Sequence, residues 1–164
     1  MIVKVILGIL LVLIVLVAAI YFYGTSLPHE KSHSRVVLIN AAPETLYDIA
    51  INAEAQSSWR KDVSKITMRP DQKSWIEHTN QGDIFFTILE ENRPNSFSLE
   101  FKGQGFEGTW KGEFVASGNG TEVSLVENIS IQNPFFRSLS NLMKFTEKFM
   151  DRYIHDLEIE AERR

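Results

Sequence analysis

Glu127 is the residue whose surroundings suggest chemistry first. The run Gly120 to Ile131 alternates, with Val123, Leu125, Ile129 and Ile131 on one side and Glu122, Ser124, Asn128 and Ser130 on the other. Glu127 has the parity of the apolar set, so a carboxylate points where the strand buries its face. A buried carboxylate must be hydrogen-bonded, paired or protonated. It can anchor the polar end of a ligand or act as a general acid/base; a bulge or an ion pair to Arg60 or Lys65 near the sheet rim is the structural alternative. Glu77 and His78 pose a related choice, since neighbours on a strand face opposite ways. Trp75 shares the parity of Glu77 and Ile76 that of His78, so both orientations stay open. His155 falls on the polar side of a helical pattern and is expected in solvent.

His29-Glu30-Lys31-Ser32-His33 has the form H-E-x-x-H, which on a helix places two imidazoles and a glutamate around zinc. Pro28 precedes it and the extended run Arg35 to Asn40 follows, without an apolar helical period around it. The segment is expected to be a solvated linker, with no metal and no cofactor. No cysteine is present, which excludes disulfides and thiolate chemistry. The net charge of -4, with no basic cluster interleaved with aromatics, argues against nucleic acid as a partner.

Elements must position these residues. Phe106 to Phe114 alternates with Phe106, Trp110 and Phe114 on one side, then Ser117-Gly118-Asn119-Gly120 reverses the chain into the strand carrying Glu127. Further strands are predicted at Val36 to Ile39, Val63 to Met68, Ser74 to Thr79, Ile84 to Glu90 and Ser96 to Phe101. Pro43 and Glu44 open a first helix. Asn52 to Ser58 is a second short helix, ending near Trp59. From Phe135 to Glu162, Leu139, Leu142, Met143, Thr146, Phe149, Met150, Tyr153 and Leu157 form one apolar stripe, which predicts a single long helix lying on a sheet.

Val5 to Phe22 carries no charge, and with its flanks it reaches the roughly 20 residues that cross a bilayer. Tyr21, Phe22 and Tyr23 stand at one end, where aromatic rings favour the interface. The run is longer than a signal-peptide core and ends in bulky rings. The expectation is therefore a single-pass anchor over residues 1–24 that contacts the membrane through 2–23. A linker over 25–33 and one domain over 34–164 follow it, the domain on the extracytoplasmic side.

The order strand, two helices, six strands, long helix is that of the helix-grip fold. Asn40-Ala41-Ala42-Pro43-Glu44-Thr45-Leu46-Tyr47 resembles the entry into the first helix of the SRPBCC (START-like) superfamily, and Trp59 the tryptophan closing its second helix. Gly108-Thr109-Trp110, with Gly120-Thr121-Glu122-Val123 and Val126-Glu127, resembles the penultimate hairpin of its polyketide cyclase/dehydrase branch. Asn133-Pro134-Phe135 is similar to the start of its last helix. The resemblance implies an α+β fold with a curved antiparallel sheet of about seven strands around a long C-terminal helix. It also implies an elongated apolar cavity.

Trp59, Phe86, Phe97, Phe106, Trp110, Phe114, Met143, Phe149, Met150 and Tyr153, together with Glu127, are then the residues expected around a small hydrophobic ligand, lipid-like or aromatic. A cyclase/dehydrase using Glu127 or His78 as acid/base is the enzymatic alternative, and a partner-docking domain at the membrane the third. Nothing in the sequence addresses oligomeric state.

Overall fold

The structure is a computed structural model and describes residues 2–164. Helix α1 (Ile2–Ser26) leads into strand β1 (Glu30–Ile39), helix α2 (Pro43–Ile51), a 3-10 turn (Ala53–Ala55) and the short helix α3 (Gln56–Trp59). Strands β2 (Val63–Met68), β3 (Ser74–Thr79), β4 (Gly82–Asn92), β5 (Ser96–Gly103), β6 (Phe106–Ser117) and β7 (Gly120–Ile131) follow. Helices α4 (Pro134–Met143) and α5 (Phe145–Glu162) complete the chain.

All seven strands form one antiparallel sheet in the order β1-β7-β6-β5-β4-β3-β2. Consecutive strands from β2 to β7 are neighbours, and β1 closes against β7, so the first strand lies beside the last. Register shifts in β2 and β4 add local bend. The β6–β7 turn uses Gly118 at φ +58, a conformation that costs glycine little. One face of the sheet holds the core, against α2, α3 and α5. Leu46, Tyr47 and Ile49 of α2 and Met150 and Leu157 of α5 are at most 1% exposed.

Three expectations need correction. The C-terminal stripe is two helices, because Lys144 adopts a left-handed conformation (φ 51, ψ 46) that ends α4 and starts α5. The break keeps Thr146, Met150, Tyr153 and Leu157 in the core but turns Leu142 and Met143 outward, 59% and 48% exposed. The segment 25–33 is not a free linker. Helix α1 continues to Ser26 and β1 begins at Glu30, so only Leu27, Pro28 and His29 connect them. His29 to His33 therefore enters a strand, where Lys31 and His33 alternate inward with Val37 and Ile39.

Candidate functional site

Glu127 does face the core, at 5% exposure. It stands between His33 on β1 and Trp110 on β6, directly opposite both in register. Side chains so placed on one face are about 5 Å apart at Cβ. Glu147, near the start of α5, closes over them and lies 3.8 Å from His33 Nδ1. Burial, helped by the negative charge of Glu147, pushes the Glu127 carboxyl up to about 7. The expected ion pair to Arg60 or Lys65 does not form. Lys65 is exposed, and Arg60 is committed elsewhere.

Next to this carboxylate, at the end of the sheet near α1, lies a cleft of about 10 Å³, room for roughly one water. Ile129 and His33 form its floor, with Arg137, Asn141, Thr146 and Glu147 as the wall from the helices. Inward polar residues of β1 tie this edge to the helices. Lys31 Nζ donates to Asn141 Oδ1, and Arg35 Nε donates to Asp151 Oδ1 at 2.7 Å. The polar alternation of β1 is thus a seam between sheet and helix.

Most of the other expected site residues come together as packed core. Phe97 stacks on Phe114 with ring centroids 6.0 Å apart, and it lies 5.2 Å from Trp110. Tyr153 is a hub, 5.7 Å from both Trp59 and Trp110. Phe86 stacks on Trp75 at 5.4 Å and approaches Phe101 at 6.0 Å. Phe106 closes that row at 6.2 Å from Phe101. Met150 is buried, and Phe149 is half-buried under the Arg60 guanidinium, 5.4 Å from its ring centroid. These rings pack against one another on the inward face where the elongated cavity is expected. Met143 is brought out of the set altogether by the break at Lys144.

A second polar cluster, missed in the sequence, sits deeper. Arg60 Nη1 donates to Glu77 Oε1 at 2.9 Å and to Gln56 Oε1 at 2.5 Å, and Nη2 donates to Asp62 Oδ2 at 3.2 Å. Trp75 Nε1 donates to the same Glu77 oxygen at 3.3 Å. Burial pushes the Glu77 carboxyl up against the opposing pull of Arg60. Trp75 supplied the signal for this orientation, since a large ring sharing parity with Glu77 favours the inward face. His78 consequently faces outward, with Nδ1 2.8 Å from Asp83 Oδ1 and Nε2 2.9 Å from Thr67 Oγ1. His155 is exposed. Among the described residues no group of His, Asp and Glu has the arrangement of a metal site.

The other feature missed is the seat of α1. Arg137 Nε donates to the Gly24 carbonyl at 2.8 Å, Ser138 Oγ to the Ile20 carbonyl at 2.5 Å, and Asn141 Nδ2 to the Tyr23 hydroxyl at 2.8 Å. A Cβ at Gly24 would overlap the Pro134 carbonyl, so glycine permits the approach. Ile2 to Val17 of α1 are exposed, and the helix, with a mean hydropathy of 3.2 along its most apolar stretch, is long and apolar enough to cross a membrane.

No protein-family model and no curated protein sequence matches this chain. Solved structures do. A START superfamily protein from Mycobacterium smegmatis superposes with a TM-score of 0.66 at 14% identity, over 80% of this chain and 97% of that one. The ZhuI aromatase/cyclase from Streptomyces sp. R1128 gives 0.69 at 11% identity, over 83% and 96%. A norcoclaurine synthase from Thalictrum flavum gives 0.66 at 7%, over 82% and 95%. At such identities the likeness is one of fold.

Proposed function

We propose that this chain, which carries the START-like helix-grip fold, is a membrane-anchored domain that takes a small hydrophobic ligand between its sheet and the α4–α5 pair. The observation that carries this reading is Glu127. A carboxyl group lies buried among the apolar inward residues of β7 and beside Trp110, next to a cleft, and the charge acting on it is the repulsive one of Glu147. An unpaired carboxylate there costs stability, and a ligand's polar end would offset that cost. The aromatic rings behind it would meet the ligand's apolar body. Anchoring is supported by α1, whose last turns are hydrogen-bonded into the domain, as a removable leader has no reason to be.

The cleft is too small to hold such a ligand as it stands, so binding requires α4 and the start of α5 to move outward. Lys144, left-handed between them, is the natural hinge. The full chain, purified in nanodiscs of defined lipid, should retain an apolar compound in native mass spectrometry. Ile129→Trp, which fills the cleft, should release it. A chain that retains nothing and takes up no apolar fluorophore refutes the reading.

A second reading, docking of a protein partner, has its own observation: a packed interior beside exposed Leu142, Met143 and Phe145. The cyclase/dehydrase alternative retains Glu127 as acid/base, but outward-facing His78 cannot share its site. Turnover abolished in Glu127→Gln, with ligand retained, would establish it.

A further inference from the structure

The α4–α5 corner offers an exposed apolar edge whose direction relative to α1 can be read from hydrogen bonds and close approaches. Gly24 of α1 meets Pro134 of α4, and Ile20 meets Ser138. Four residues back along α1 correspond to four residues forward along α4, so the helices run antiparallel. Tyr23 fits this direction, because side chains on a helix lean toward its N-terminus and its hydroxyl reaches Asn141. One further turn of α4, about 6 Å, carries Leu142 and Met143 past the level of Ile20 toward the middle of the apolar run. Phe145 follows across the break, and all three side chains are exposed.

We infer that the α4–α5 corner is a wedge embedded in the lipid leaflet beside α1, with Leu142, Met143 and Phe145 in the acyl region. This rests on α1 spanning the bilayer. The occupant of the apolar edge is lipid because the edge continues the surface of α1 about one turn inward of its Tyr21–Tyr23 belt, within the roughly 5–10 Å to which interfacial helices bury their apolar face. Lys144, the charged residue at the tip, has a stem long enough to return its ammonium to the headgroups. The wall of the cleft contains Asn141, Thr146 and Glu147, which flank this tip, so the cleft opens onto the leaflet. An apolar molecule would enter from the membrane without crossing water.

The chain has no cysteine, so single nitroxide labels can be placed without background. The full chain carrying Leu13→Cys, Phe136→Cys, Leu142→Cys or Leu89→Cys is reconstituted into phosphatidylcholine/phosphatidylglycerol nanodiscs. Collision with oxygen and with a water-soluble nickel chelate then reports depth. Leu89 is an exposed apolar side chain on β4 and serves as the aqueous control. The expected order of depth is Leu13, then Leu142, then Phe136, with Leu89 in water. A Leu13 label in lipid with Leu142 in water overturns the wedge and leaves the anchor standing. A Leu142 label shielded from both reagents shows the corner buried by protein and also overturns it. A Leu13 label in water removes the anchor and the wedge together.

Discussion

Arg60 and Glu77 form a 2.9 Å ion pair where their side chains are 3% and 1% exposed. Their environment is closed by Trp75, Gln56 and the rings of Phe149 and Tyr153. One Glu77 oxygen, Oε2, has no hydrogen-bond partner. The pair joins α3 to β3, so it fixes how the helical face meets the sheet. Removing either partner strands a charge: Arg60→Met or Glu77→Gln should each lower stability by about 3–5 kcal/mol. The double variant Arg60→Met/Glu77→Gln should lose much less than the two single losses combined. Thermal unfolding of the four proteins, followed by near-ultraviolet circular dichroism, provides the comparison; additive losses would mean the pair is not a unit.

Glu127 gives stability a pH dependence of the opposite sign to an ordinary surface carboxylate. Its folded value of about 7 exceeds the ordinary 4.5, so between these pH values the folded chain binds more protons than the unfolded one. Stability should therefore fall as pH rises from about 4.5 through 7, by on the order of 3 kcal/mol, and level off above. Glu127→Gln keeps the shape and removes the titration. Melting temperatures measured from pH 4 to pH 9 should show this decline in the parent chain and a flatter profile in the variant. Identical profiles would contradict the unpaired burial of Glu127.

The seat of α1 depends on the absence of a side chain at Gly24. Gly24→Leu should push α4 away from Pro134 and break the bonds from Arg137 and Ser138. A local loss of about 1–3 kcal/mol is expected, which speeds amide exchange in α4 roughly ten- to hundredfold while the β6–β7 ladder keeps its protection. Unchanged exchange in α4 would show that the two helices hold together by other means.

The aromatic interior should respond as a packed core. Phe114 is 1% exposed between Tyr47 and Phe97, and Phe114→Ala should cost about 3–5 kcal/mol. Its neighbour Val115 faces the other way at 57% exposure, and Val115→Ala should stay within about 0.5 kcal/mol. Denaturant midpoints of the two variants test the parity directly. A mild Phe114→Ala with raised uptake of apolar fluorophore would instead show an interior that opens readily.

The sheet was legible because its strands obey a period of two wherever one face is buried. Phe106, Trp110 and Phe114 announce β6, and Val123, Leu125 and the odd carboxylate at 127 announce β7. β1 was legible only from Val36 onward. Its first half alternates polar with polar, since Lys31, His33 and Arg35 meet Asn141, Glu147 and Asp151, not an apolar core. The break at Lys144 was hidden because no glycine or asparagine marks the left-handed residue. A continuous apolar stripe crosses the break, and part of it serves the core while Leu142 and Met143 serve another surface. Glu77 was half legible through Trp75, but its partner Arg60 lies 17 positions away and belongs to tertiary structure alone.

Leu27, Pro28 and His29, the three residues between α1 and β1, limit where this domain can work. Fully extended, such a segment spans only about 10 Å, and the bonds from Arg137 and Ser138 shorten even that leash. With α1 in a bilayer, a domain held this way could not swing out to a second membrane or carry a ligand across an aqueous gap. Its commerce would be with the leaflet directly beneath it. Any tilt of α1 in response to bilayer thickness would be passed, through β1, to the edge of the sheet where Glu127 stands.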